Sequence, residues 1–164
     1  MKLSVTPKPA PGWLRELADA RATYQELLGW PVSVQVGRRS LVVAVGSALA
    51  AVAMPAALGA RVRAQLGISI LSAPIVANPD GTRWTFLARP DEPVRPAVVE
   101  DLAAAGVRVA PEGSYVVLPT TLDRSSGPAE RWIDEPRPNR ILPPLHAIIA
   151  LARRLTYREL PRTA

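Results

Sequence analysis

Leu41 to Ala60 is a stretch without a single charged residue, bounded by Arg38 and Arg39 on one side and by Arg61 and Arg63 on the other. An apolar run of that length is either a membrane helix or sequence that a folded core must bury. Three features favour burial. Gly46, Ser47 and Pro55 interrupt the run, much of the remainder is alanine, which contributes little to insertion, and Leu41-Val42-Val43-Ala44-Val45 reads as a buried strand. No membrane association is therefore expected. The opening MKLSVTPKPAPGW has no long apolar core and does not read as a signal peptide. Its three prolines mark residues 1–12 as a flexible arm.

The remaining pattern alternates helical and strand signals. Trp13 to Leu28 has helical spacing, with Gly29 as its stop, and Val32, Val34 and Val36 alternate with polar residues ahead of a Gly37–Ser40 turn into Leu41–Val45. Ala48 to Leu66 is helical in composition, with Pro55 opening a second helix and Gly67 ending it. Ile68–Ala77 and Thr82–Ala88 read as strands about the turn Asn78-Pro79-Asp80-Gly81. Pro96–Ala105 is a helix closed by Gly106; Val107–Ala110 and Tyr115–Leu118 are short strands. Leu122–Pro138 reads as a polar surface loop, and Pro143–Tyr157 as a closing amphipathic helix. The order α-β-β-α-β-β-α-β-β-α predicts an α/β (α+β) domain over 13–158. It has a single mixed, mainly antiparallel sheet packed by helices and a short tail at 159–164.

Composition narrows the chemistry. The chain has no cysteine, which removes disulfides and thiolate metal sites and fits a reducing cytoplasm. With one histidine, His146, zinc would need carboxylates nearly throughout, so neither a metal nor a cofactor is expected. The +6 charge is carried almost entirely by arginine, which suits nucleic acid. It equally suits the codon bias of a GC-rich genome. No phosphate-binding glycine loop and no nucleophile–base pair is present; Ser125-Ser126-Gly127 is too short for the former. His146 reads as a capping or surface residue, and Asp80 and Asp123 as turn and loop residues.

Three stretches in order resemble the archaeo-eukaryotic primase–polymerase (Prim-Pol) family. Arg39-Ser40-Leu41-Val42-Val43-Ala44-Val45-Gly46-Ser47 is similar to the strand that ends, in that family, in an Asp-x-Asp pair. Asn78-Pro79-Asp80-Gly81-Thr82-Arg83-Trp84-Thr85-Phe86 resembles its hairpin motif Thr-Pro-Ser-Gly-Gly-Arg-His-x-Tyr. Gly106-Val107-Arg108-Val109 with Gly113-Ser114-Tyr115-Val116-Val117-Leu118-Pro119 resembles its Gly-Ile-Asp-Val … Gly-Gly-Tyr-Val-Val-x-Pro segment. The resemblance covers roughly residues 30 to 155 and implies a primase–polymerase-like core.

The same resemblance implies a degenerate site. The two paired carboxylate positions fall on Val45 and Ser47, the third on Arg108, and the histidine position on Trp84. A register one residue earlier puts Ala44 and Gly46 there instead. Nucleotide transfer of this type needs carboxylates to hold divalent metals against a triphosphate, and an arginine there opposes the metals. The framework is accordingly expected to bind and not to polymerise. Arg83 and Arg108 are candidate phosphate ligands, with solvated strand arginines as the plainer alternative. Trp84 is a candidate base-stacking residue or a packed one. Arg38 and Arg39 are candidates for backbone phosphates, and Tyr115 completes the set for new chemistry should it converge with Arg83, Trp84 and Arg108. Trp132 is a candidate interface anchor, with packing against its own domain as the alternative. Expected partners are a protein, a second copy of this chain included, or a weakly held nucleotide or nucleic acid. A filled groove between Val43–Ser47 and Arg83–Phe86 points to scaffolding; an open, arginine-lined one points to phosphate.

Overall fold

The computed structural model describes residues 4, 6–120 and 127–159. Asp123, Ser125, Ser126, the start of the expected 122–138 loop and tail residues 160–164 lie outside the described residues. The elements in chain order are α1 (Gly12–Leu28), β1 (Val32–Gln35), a 3-10 turn (Val36–Arg38), β2 (Ser40–Ala44), β3 (Ala50–Pro55), α2 (Ala56–Ile68) and β4 (Ile75–Ala77). They continue as β5 (Arg83–Ala88), α3 (Pro96–Ala104), β6 (Arg108–Val109), β7 (Tyr115–Leu118), β8 (Arg131–Asp134) and α4 (Leu145–Glu159). The mixed helix-and-strand class is as expected. The single sheet is not: the strands form two sheets, ordered β1-β2-β7 and β6-β3-β5-β4-β8, and every strand pair within them is antiparallel.

The chain changes sheets at the tight turn after β2, where the Gly46 N–H donates to the Leu49 carbonyl at 2.9 Å. Behind that turn lies the largest difference from the sequence reading. Ala50–Met54 is a strand and not the start of a helix. Alanine favours helix locally, but this segment sits between β5 and β6 and is largely buried on both faces, the situation that makes a central strand read as a continuous apolar run. Pro55 does open a helix, as its N-cap at φ −56°. The uncharged run is thus divided among β2, β3 and α2, and among the described residues no helix is long and apolar enough to cross a membrane.

Other boundaries moved for identifiable reasons. Gly67 lies inside α2, whose end is a Schellman-type turn: the Leu71 N–H donates to Leu66 O at 2.9 Å, with Ile70 left-handed at φ +57°. Residues 68–74 are not strand, because Ile68 completes α2 and Pro74 has no N–H for a ladder, so pairing begins at Ile75. Arg131–Asp134, expected in a loop, is β8 on the edge of the larger sheet. The 78–81 turn forms as anticipated: the Gly81 N–H donates to Asn78 O at 2.9 Å with Gly81 at φ +74°. The Asp80 carboxylate accepts from the Thr82 hydroxyl at 2.6 Å and its N–H at 2.9 Å, and these bonds hold its pKa below the ordinary range.

Two apolar clusters flank the five-stranded sheet. Val52, Met54, Ile75 and Phe86 on one face pack under α2, α3 and α4 against Val62, Leu66, Leu102 and Ile148. Ala51 and Leu87 on the other face meet Leu41, Val43, Leu49 and Leu118 of the smaller sheet and its loops, with Leu17 of α1. Each fully buried large side chain, such as Phe86, contributes roughly 1.5–3 kcal/mol of transfer free energy. α4 is capped from a distance: the Asp91 carboxylate accepts the His146 N–H at 3.0 Å and pairs with the His146 ring. His146 is therefore a capped helix-start residue at the surface. Asp91→Ala should cost about 1 kcal/mol of stability, the usual worth of an N-cap, read as a fall in the urea midpoint at unchanged slope.

Candidate functional site

Strand registers decide which of the singled-out residues meet. Arg108 pairs with Ala53, Ala53 with Thr85, Thr85 with Val76 and Val76 with Trp132, so these five form one row on one face of the larger sheet. Ala51 and Leu87 share that face, which places it towards the smaller sheet. Arg83, two residues from Thr85, points the same way. Trp84 belongs to the opposite face and packs beneath α2; a Cβ on Gly59 would stand 3.0 Å from its ring carbon Cε3. Tyr115 pairs with Ala44 on the side of the smaller sheet turned away from the cluster, and is 58% exposed. The four residues of the repurposed-chemistry set thus do not share a face.

Each remaining candidate has a local environment of its own. The Arg83 guanidinium donates to the Gly106 carbonyl at 3.0 Å, fastening β5 to the turn after α3. Arg108 is exposed. Arg38 is exposed in the 3-10 turn, and Arg39, left-handed at φ +48°, places its guanidinium 4.8 Å over the Trp13 ring, joining the hairpin to α1. This pair sits at the far end of β2 from Val45.

The positions aligned with the family's carboxylates differ sharply. Val45 is 5% exposed and belongs to the cluster that fills the space between β2 and β5. Its N–H donates to Ser114 O at 2.8 Å and its carbonyl accepts from Gly113, so the pairing of β2 with the β7 segment extends past Ala44 to Val45. Ser47 is exposed in the turn. Glu112 is the carboxylate side chain beside this turn, its Cγ 3.9 Å from where a Cβ on Gly46 would lie. Among the described residues no three Asp, Glu, His or Cys side chains gather where they could hold one metal ion. Between Val43–Ser47 and Arg83–Phe86, Val43, Val45 and Leu49 pack with Leu87 in one apolar cluster, while Arg83 and Thr85 on the facing strand are half-buried.

The open space lies elsewhere. A cleft of about 700 Å³ runs between α1 and β8, walled by Tyr24, Leu27, Leu28 and Trp132 and rimmed by Glu130 and Glu135. Tyr24 stacks parallel to Trp30 at 6.1 Å between ring centres. Burial pushes the Tyr24 hydroxyl pKa up and the Glu135 charge adds to the rise, while a hydrogen bond with Trp132 opposes it. Trp132 is half-buried against the inter-sheet cluster, so it is packed on its own domain with one part facing the cleft. A second groove, about 590 Å³, adjoins the first through Leu28, Glu135, Pro136 and Pro138 and contains Arg137 and Arg140. Sequence reasoning missed the cleft because its walls come from α1 and from a strand concealed in a proline-rich segment. Comparison with known proteins finds no matching family model, no similar curated protein and no similar solved structure.

Proposed function

We propose that the chain is a non-catalytic domain of the primase–polymerase type, working as a regulatory or scaffolding protein in the cytoplasm and holding nucleotide or nucleic acid weakly if at all. The observation that carries this reading is the burial of the first aligned carboxylate position: Val45 is 5% exposed and packs with Val43, Leu49 and Leu87. A core valine cannot ligate a metal. Arg108 adds a cation where the family pattern has its third carboxylate. What such a framework retains is surface, and fold and function separate easily. The lack of cysteine supports the cytoplasmic part of the proposal.

The nucleic-acid version of this reading is tested first at Arg108, which is exposed, whereas the Arg83 guanidinium is half-buried and gives one of its donors to the Gly106 carbonyl. Electrophoretic mobility of short DNA and RNA duplexes against salt separates the versions. If Arg108 meets a phosphate, Arg108→Ala weakens binding evenly across sequences and lowers the salt slope by about 1. No shift at low salt leaves the protein-binding version in place. Binding with the same salt slope in the variant removes Arg108 from the interface.

A further inference from the structure

We propose that the groove between the end of α1 and the β8–α4 connection binds a small zwitterion with a surplus of carboxylate, an acidic α-amino acid. No residue of the three motif stretches lines this groove. The proposal therefore goes beyond the scaffolding reading and does not rest on it.

Four charged side chains line the groove of about 590 Å³: Asp134, Glu135, Arg137 and Arg140. They are not equally available to a ligand. The Arg63 guanidinium holds the Asp134 carboxylate through two bonds of 2.6 and 2.7 Å, and that pair neutralises itself. Arg140 gives one Nη1 donor to Ser72 Oγ at 2.8 Å and keeps the other donors of its fork. The side chains of Glu135 and Arg137 make no hydrogen bond or ion pair among the described residues. What the groove offers is therefore two cations and one anion.

These charges are segregated. Glu135 lies near the last turns of α1, where its charge reaches the Tyr24 hydroxyl. Leu28 and Gly29 are also in the wall, so the negative end of the α1 dipole sits at the groove and adds to the Glu135 charge. The arginines stand together on another wall: the Arg140 N–H donates to Arg137 O at 3.1 Å, and Ser72 fixes Arg140 ahead of β4. An ammonium is favoured at the α1 end and carboxylates at the guanidiniums. A simple anion would leave Glu135 unmatched, and a simple amine would leave both arginines unmatched. The frame is stiff, since Glu135 and Arg137 each precede a proline and are confined to extended backbone, which lowers the ordering cost of binding. Buried Trp30 and half-buried Ile133 and Leu142 supply apolar contact for the carbon chain of the ligand.

Isothermal titration of the full chain with glutamate, glutarate and glycine provides the test. Glutarate keeps both carboxylates and lacks the ammonium; glycine lacks the second carboxylate. Glutamate should bind with a Kd below about 1 mM, and the other two at least about 10-fold more weakly. Arg137→Ala should weaken glutamate at least about 10-fold. Glu135→Gln should weaken glutamate and leave glutarate unchanged, erasing the difference between them. Both positions are exposed, so the urea midpoints of the ligand-free variants should match the parent, which separates loss of binding from loss of the fold. No saturable binding of glutamate up to about 10 mM overturns the proposal. So does glutarate or glycine binding as tightly as glutamate, or glutamate binding that neither variant weakens.

Discussion

Val45→Asp, which places a carboxylate where the resembled pattern has its first, should destabilise the fold by about 3–5 kcal/mol, the cost of an unpaired charge in an apolar interior. That is a large share of the roughly 5–15 kcal/mol that holds a domain together. Val45 is nearly inaccessible, its N–H and carbonyl are engaged with Ser114 and Gly113, and its neighbours Val43, Leu49 and Leu87 offer no partner to a carboxylate. Ser47→Asp and Arg108→Asp place carboxylates at exposed positions and should stay within about 0.5 kcal/mol of the parent. Urea unfolding of the three variants checks the contrast. Equal, small effects would mean that water reaches position 45 and that the groove opens.

Trp84→Ala should cost about 3 kcal/mol, because this tryptophan packs under α2 and its removal leaves a hole. Gly59 makes the prediction sharper. Its absent side chain is what lets the helix lie on the ring, so Gly59→Ala in the parent forces a Cβ to 3.0 Å from Cε3 and 3.3 Å from the Trp84 Cβ. In the Trp84→Ala background the ring is gone and only the 3.3 Å approach to the remaining Cβ is left, so the same change should cost less, offset by about 1 kcal/mol of helix propensity. A smaller cost in the second background than in the parent is the expected double-mutant result. A Trp84→Ala variant that keeps its stability while losing nucleic-acid binding would instead give the residue the base-stacking role its motif position suggests.

How much of this could be read from residues alone depended on whether the signal was local. The 78–81 turn, the Gly29 stop of α1 and the opening of α2 at Pro55 are written in backbone chemistry that proline, asparagine, aspartate and glycine carry wherever they sit. β3 was hidden because an alanine-rich, doubly buried strand looks like a helix until its neighbours β5 and β6 are known. β8 was hidden because its four residues sit among prolines and gain strand character only by pairing with β4. The candidate site divided the same way. Which residue types stand at the motif positions was legible in the sequence, but the separation of Trp84, Tyr115 and the two arginines onto different faces follows from register, which a one-residue slip reverses. Ile70 at a glycine position gave no warning, since Gly67 offered a more conventional end three residues earlier.

The proposed non-catalytic role requires that the groove beside Val45 not hold metal and nucleotide together. Incubating the full chain with magnesium or manganese, labelled nucleoside triphosphates, and primed or unprimed templates tests this most directly. The predicted result is no extension and no primer synthesis in either metal. Template-directed incorporation that requires the metal and is abolished by chelation would contradict it.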